Sequence, residues 1–239
     1  MIKRFLLAWC LFPLILNAAE STESNPGVWK GEGGLGFTST SGNSDSENLN
    51  AILGITQEID KWKHSASLRA IQAESDGETS ADSLVFKGRS EYELGEKSYV
   101  FGKLRYEDDE FSGYDYQTSL AFGVGSRFIE NELHLLDASI GLGFRSIKDS
   151  VTKDTEDEGI ITADLIYEYK ISETSTFKET VLVESGDENT HSESDTSLTT
   201  RIVGNLAAKI SYLVKRNSDV PSGTDKTDEI TTVSLLYKF

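Results

Sequence analysis

From Val28 onward the chain alternates with a period of two, in runs longer than those of an ordinary sheet. Across 114–128, Tyr114, Tyr116, Thr118, Leu120, Phe122, Val124 and Phe128 fall on one side. Asp115, Gln117, Ser119, Ala121, Gly123, Gly125 and Arg127 fall on the other. The next run repeats the pattern, with Leu136, Ala138, Ile140, Leu142 and Phe144 opposed to Asp137, Ser139, Gly141, Gly143 and Arg145. Successive strand side chains point to opposite faces, so each segment must lie between an apolar phase and a polar one. The pattern predicts about twelve strands, at 28–40, 47–59, 62–74, 82–93, 98–109, 114–128, 134–147, 158–171, 175–185, 193–204, 206–217 and 227–239. Pro26 and Pro221 fall outside all of them, as a hydrogen-bonded ladder requires.

The connections come in two alternating kinds. Short ones sit at Asp60-Lys61, Leu94 to Lys97, Ile129 to Leu133, Ser172 to Thr174 and Gly204-Asn205. Longer ones sit at Ser41 to Ser46, Ser75 to Ala81, Glu110 to Gly113, Lys148 to Asp157, Gly186 to Ser192 and Ser218 to Lys226. Short turns alternating with long loops over an even strand count, with both ends on the short-turn side, is the layout of a bacterial outer-membrane barrel.

A soluble barrel would alternate too, and three features decide against it. The expected strands mostly exceed the roughly 9–11 residues that cross a bilayer, where globular strands average about 5–6. The polar face carries bulky charges that suit a hydrated lumen: Arg69, Lys87, Arg89, Lys103, Arg105, Arg127, Arg145, Arg201 and Lys209 are the expected pore-lining residues. Lys63 and Lys215 share that face, and Glu91, Asp137 and Asp164 share its parity as counter-ions. Aromatics also gather at strand ends: Trp29, Trp62, Tyr92, Tyr99, Tyr169, Tyr237 and Phe239 towards the short turns, and Phe37, Tyr106, Phe111, Tyr114, Tyr116 and Phe144 towards the long loops. Two such belts mark the two membrane interfaces. The alternating last strand ending in Phe239 has the form of an outer-membrane targeting signal. The expected fold is all-β, a single up-and-down antiparallel transmembrane β-barrel over 28–239, monomeric.

Composition narrows the alternatives. Mean hydropathy is −0.35, and no apolar run approaches the roughly 18 residues of a spanning helix. A net charge of −17 is the opposite of the basic footprint of a nucleic-acid binder. Residues 1–19 read as a secretory signal peptide: Lys3 and Arg4 precede an apolar stretch from Phe5 to Leu16, and Asn17-Ala18-Ala19 offers a cleavage site. A short periplasmic lead over 20–27 follows. Cys10, the sole cysteine, lies inside the signal, so the exported chain has no thiol chemistry.

Several strings resemble one family. Trp29-x-Gly31-Glu32 leads into Ser39-x-Ser41-Gly42-Asn43-Ser44-Asp45 and Leu49-Asn50. Arg105-Tyr106, Phe111-Ser112-Gly113-Tyr114-Asp115-Tyr116, Asn217-Ser218-Asp219-Val220-Pro221 and Thr227-Asp228 follow in order. Together they resemble the salt-induced outer-membrane proteins, domain of unknown function 481. The resemblance implies a Gram-negative outer-membrane barrel with a link to salt or acid stress, and carries no catalytic residues.

The chain has no G-x-S-x-G, H-E-x-x-H, phosphate-binding loop or C-x-x-C. His64 and His134 have lipid-facing parity beside short turns, and His191 falls in an outer loop; all three read more simply as interfacial or solvated side chains. No enzyme activity, catalytic residue or cofactor is expected. Glu107, Asp108, Asp109 and Glu110 with Asp115 form an acidic loop whose carboxylates are the weak candidates for a divalent-cation site. The plainer reading is a soluble rim. The expected function is a narrow pore or structural barrel linked to salt, osmotic or acid stress, its partners outer-membrane lipid and lipopolysaccharide. The alternatives are a surface module whose acidic loops bind divalent cations or lipopolysaccharide, and a lipid-modifying barrel enzyme.

Overall fold

The structure, a computed structural model, describes residues 27–41, 46–75, 78–109, 114–150, 152–220 and 223–239. The expected signal peptide, nearly all of the 20–27 lead, Phe111 and Glu110 lie outside the described residues. Twelve strands form: β1 (Val28–Ser41), β2 (Ser46–Ile59), β3 (Trp62–Ser75), β4 (Glu78–Glu93), β5 (Ser98–Asp109), β6 (Tyr114–Glu130), β7 (His134–Asp149), β8 (Thr155–Lys170), β9 (Ser175–Ser185), β10 (Thr190–Val203), β11 (Leu206–Asn217) and β12 (Thr227–Lys238). Each pairs antiparallel with its chain neighbours, and β12 returns to pair with β1, so the sheet is a closed barrel. Closure leaves no strand edge unpaired, the condition for a sheet to cross hydrocarbon.

The two phases of each strand separate as the alternation requires. Leu120, Phe122, Val124, Ile140, Leu142 and Phe144 are exposed on the outer wall. Gln117, Ser119, Ala121, Asp137, Ser139 and Arg145 are buried inside. Exposed outer side chains also include Leu35, Leu53, Leu84, Leu104, Ile161, Ile210 and Leu235. This band of apolar surface is intelligible only if lipid covers it. At the short-turn end, Trp62 lies against Tyr92 at 4.9 Å and stacks on His64 at 5.5 Å, while His134 stacks on Tyr169 at 4.7 Å. His64 and His134 are thus members of the interfacial aromatic belt.

Two expected belt residues point inward instead. Tyr99 has the lumen parity of β5, is 1% exposed, and donates its hydroxyl to Asp137 at 2.5 Å. Tyr114 is displaced from the parity of Tyr116 by a register shift between them, and donates its hydroxyl to the Asp219 carbonyl at 2.7 Å. The other departures are extensions of strands into expected loops. Thr155 to Asp157 belong to β8 and Thr190 to Ser192 to β10, so His191 stands within the wall beside Glu193, and Glu158 is no longer the first residue of its strand.

The inward glycines of β6 and β7 have a steric cause. A Cβ on Gly123 would meet the Ile140 carbonyl oxygen at 2.1 Å, and one on Gly143 the Leu120 oxygen at 2.3 Å. The two strands are tightly bent against each other there. The surface left bare is covered by the rings of β5: a Cβ on Gly125 would lie 2.2 Å from Tyr99, and one on Gly123 would lie 2.8 Å from Phe101. The glycines therefore ease curvature and seat two aromatic rings, which fills that side of the lumen instead of widening it.

The face assignment has a direct check. Leu120→Arg or Ile140→Arg should destabilise the barrel by about 2–4 kcal/mol, measured by denaturant unfolding in lipid bilayers. Unchanged stability would reverse the two faces.

Candidate functional site within the lumen

The lumen is crossed by ion pairs. Lys87 on β4 reaches Glu193 on β10 at 2.5 Å, and these strands stand six apart in either direction around the barrel. Lys215 on β11 contacts Glu107 on β5, again six strands away, and bonds Asp109 at 3.1 Å. Arg105 on β5 contacts Glu107 and reaches across to Glu193 at 2.9 Å. Arg69 on β3 meets Asp195 on β10 at 3.1 Å. Only long basic side chains facing acids on the opposite wall can bridge in this way. The resulting layer occupies the loop half of the lumen.

His191 is held inside this layer, 1% exposed. Its Nδ1 lies 3.0 Å from Asn217 Oδ1, and its Nε2 lies 3.0 Å from Arg105 Nη2 and 3.1 Å from Glu193 Oε1. Asn217 Oδ1 can only accept, so Nδ1 donates to it, while Nε2 sits between the Arg105 donor and the Glu193 acceptor. Above it Asn189 acts as a hub. Its Oδ1 accepts from the Ser218 and Asp219 backbone amides and from the Ser218 hydroxyl, and its Nδ2 donates to Asn217. Arg145, also fully buried, donates to the Asn189 and Glu184 carbonyls and to Glu158. The Asn217-Ser218-Asp219 string thus folds over the mouth and is tied to the charged layer through Asn189.

A second cluster lines the wall nearer the short turns. The Arg89 guanidinium lies 4.0 Å from the Phe101 ring centre and bonds Glu91 at 2.7 Å and Ser139 at 3.1 Å. Lys103 bonds Thr162 at 2.7 Å and Asp164 at 2.8 Å. Arg127 bonds Glu93 at 2.8 Å and approaches Glu91 at 3.5 Å. Below the crossing layer a cavity of about 840 Å³ opens to the short-turn end at Lys30, Asn205 and Phe239, and ends at Lys87, Arg105 and Glu193.

Of the expected pore-lining residues, Arg69, Lys87 and Arg105 are brought together by the crossing pairs. Arg145 belongs to the hub above, and Arg89, Lys103 and Arg127 to the wall cluster. Lys209 faces the lumen beside the Arg69–Asp195 pair, whose charges it feels. Arg201 stands exposed at the short-turn rim, where it donates to the Glu173 carbonyl. The acidic set is scattered, because its residues alternate across a strand. Glu107 and Asp109 point inward, while Asp108 points outward and accepts from Tyr106. Asp115 accepts from Lys153 at 2.9 Å and pairs with Lys148 at 3.4 Å. Glu107, His191 and Glu193 do present ligand atoms within 4.8 Å of one another. Arg105 and Lys215 already bind those carboxylates, so the chain's own cations stand where a metal ion would.

In the sequence, Glu107 and Asp109 read only as cation-site candidates and His191 only as an outer-loop residue; the counter-ion roles of Glu107, Asp109, Glu184, Glu193 and Asp195, and the lumen positions of His191, Asn189 and Asn217, went unassigned. Their signal was parity. Glu193 and Asp195 share the phase of Arg201, and Glu107 and Asp109 that of Arg105. Buried pairs are costly to break singly, about 3–5 kcal/mol for the removal of one partner. Arg105→Met and Glu193→Gln should each destabilise by that order, and the double variant by clearly less than their sum in a double-mutant cycle. Strict additivity would mean that the cross-lumen contact carries no coupling.

The family model described as "Protein of unknown function, DUF481" matches residues 33–239. The uncharacterized protein YdiY of Escherichia coli strain K12 is 29% identical over 209 residues, spanning 86% of this chain and 82% of that protein. Among solved structures, the NanC porin superposes with a TM-score of 0.59 at 12% identity, covering 87% of this chain and 100% of that one. The COG4313 outer membrane channel from Pseudomonas putida F1 gives 0.56 at 10% identity, covering 92% and 100%. The translocator domain of the autotransporter NalP from Neisseria meningitidis gives 0.53 at 13%, covering 89% and 88%. At such identities the likeness to solved structures is one of fold, that of outer-membrane barrels. The chain belongs to the DUF481 family of proteins of unknown function.

Proposed function

We propose that the protein is a narrow channel of the bacterial outer membrane, closed in its resting state by the side chains that cross its own lumen. The observation that carries this reading is the pair of ionic bridges between opposite walls, Lys87 to Glu193 and Lys215 to Glu107, with an open cavity beneath them. A barrel with a purely structural role has no need of an 840 Å³ vestibule ending on a charged layer. In the orientation of outer-membrane barrels the short turns face the periplasm, so the vestibule opens inward and the bridges lie towards the cell surface.

The layer has the means to rearrange. Arg105 makes its contacts through Nη2, while its Nε and Nη1 are buried without a partner among the described residues, as are Gln117 Oε1, Glu184 Oε2 and Asp195 Oδ1. Each such group costs about 1–3 kcal/mol, so alternative pairings lie close in energy. Lys87 is 40% exposed in its side chain, which subjects its bridge to screening as the Debye length falls from about 10 Å at 0.1 M to about 3 Å at 1 M salt. This connects the closure to external salt and osmotic conditions.

Planar-bilayer recording of the refolded barrel tests the reading. The native protein should show brief, small openings that become more frequent between about 0.1 and 1 M KCl. Glu193→Ala and Glu107→Ala should enlarge and prolong them several-fold. Silence from a folded barrel and from both variants would exclude a channel.

A further inference from the structure

His191 is the one side chain of the crossing layer whose type changes charge near neutral pH, and its surroundings offer a partner to each of its forms. Nε2 lies 3.0 Å from the Arg105 Nη2 donor and 3.1 Å from the Glu193 Oε1 acceptor. A neutral ring with its proton on Nδ1 accepts from Arg105 at Nε2, and a protonated ring donates to Glu193 from the same atom. Nδ1 donates to Asn217 Oδ1 in both forms, so the ring has no need to turn. Arg105 and Lys215 already hold the Glu193 and Glu107 carboxylates, so a proton, and not a metal ion, is what this cluster can take up.

Protonation at Nε2 costs Arg105 one acceptor, and a second anion stands ready. Glu184 is the register partner of His191 across the β9–β10 ladder and is 0% exposed. Its Oε1 accepts from Ser119 at 2.9 Å, its Oε2 has no partner among the described residues, and its charge acts on Arg105. Arg105 Nε and Nη1 are likewise buried without partners among the described residues. One unmatched acceptor is therefore within electrostatic reach of two unmatched donors.

The charges around the ring lean the same way. Arg105, Glu107 and Asp109 come from β5, Lys87 from β4, Lys215 from β11 and Glu184 from β9, with Glu193 on the ring's own strand. In formal charge, four carboxylates face three bases. Arg145 and Glu158 of the hub cancel each other, as do Lys103 and Asp164 on the wall near Glu184. A proton on His191 is the charge that evens the layer.

We infer that His191 is a proton-operated latch: acidification moves its Nε2 from accepting Arg105 to donating to Glu193, turns Arg105 towards Glu184, and tightens the closure of the lumen. The effect on ion flow rests on the channel reading; the exchange of partners stands on the layer alone.

The chain has three histidines, so ring-nitrogen NMR of the refolded full chain in detergent, isotope-labelled at histidine and arginine, can follow each from about pH 8 to about pH 5. His191 Nε2 should pass from unprotonated to protonated, and the Arg105 Nε–H signal should shift with the same midpoint. In planar bilayers at about 0.1 M KCl, the open fraction should fall several-fold over the same range. His191→Gln should abolish the fall, Glu184→Gln should reduce it, and His64→Gln with His134→Gln should retain it, with folding of each verified by heat-modifiable gel mobility. A His191 ring that keeps one protonation state throughout, or a protonated ring beside an unmoved Arg105 signal, would overturn the inference. So would an open fraction that ignores pH or rises in acid, or a fall that His191→Gln shares. A silent bilayer record beside the NMR exchange would sink the channel reading alone.

Discussion

The pairing of β1 with β12 is the contact on which the rest of the molecule depends. Gly31 donates to the Phe239 carbonyl at 2.7 Å and Phe239 donates back at 2.9 Å, so the ladder closes near the short-turn rim. In hydrocarbon an unpaired backbone group costs several kcal/mol, so an open sheet of this composition has no place in a membrane. The outward position of Gly31 belongs to the same closure, since a Cβ there would stand 2.4 Å from the Phe239 ring. Only with the wall closed does an inside exist, and only then can charges such as Arg105 and Glu193, 3% and 6% exposed, find one another.

The interior solves an unusual problem. Barrels of this size are too wide to be filled by short side chains and too narrow to avoid contact between long ones. Here the gap is divided. The side against β6 and β7 is filled by Tyr99 and Phe101 seated on glycine, the loop half is spanned by ion pairs, and the remainder is a vestibule. A small apolar group, Ile71, Leu213 and Ile230, completes the packing on the opposite wall. Burial of so many charges is tolerated because nearly every one has a partner, which is the condition under which buried pairs break even.

The fold was almost wholly legible in the sequence, because a period of two is enforced at every strand by the contrast between lipid and lumen. Strand number, turn alternation and the parity of Arg69, Lys87, Arg89, Lys103 and Arg105 all follow from it. What escaped was the vertical extent of the strands and the pairing between them. His191 looked like a loop residue, and the expected strand began only at Glu193, because His191-Ser-Glu-Ser-Asp195 is polar at every position and gives no apolar phase to count. Tyr99 was drawn into the belt by its type although its phase placed it inside, and the shift at Tyr114 leaves no mark on composition. Bridges between strands six apart depend on three-dimensional closure, and a linear pattern holds no record of which acid faces which base. The acidic runs illustrate this: what looked like one negative rim is, residue by residue, half counter-ions and half surface.

The crossing pairs also have a mechanical meaning. A thin cylindrical wall resists stretching along its strands far better than flattening across its diameter, and struts from β4 to β10 and from β5 to β11 oppose that flattening directly. The cross-section is therefore held round by the same contacts that obstruct it. Lateral pressure in the surrounding bilayer acts on those struts through the wall, so the width of the lumen and the stiffness of the wall are two readings of one set of bonds.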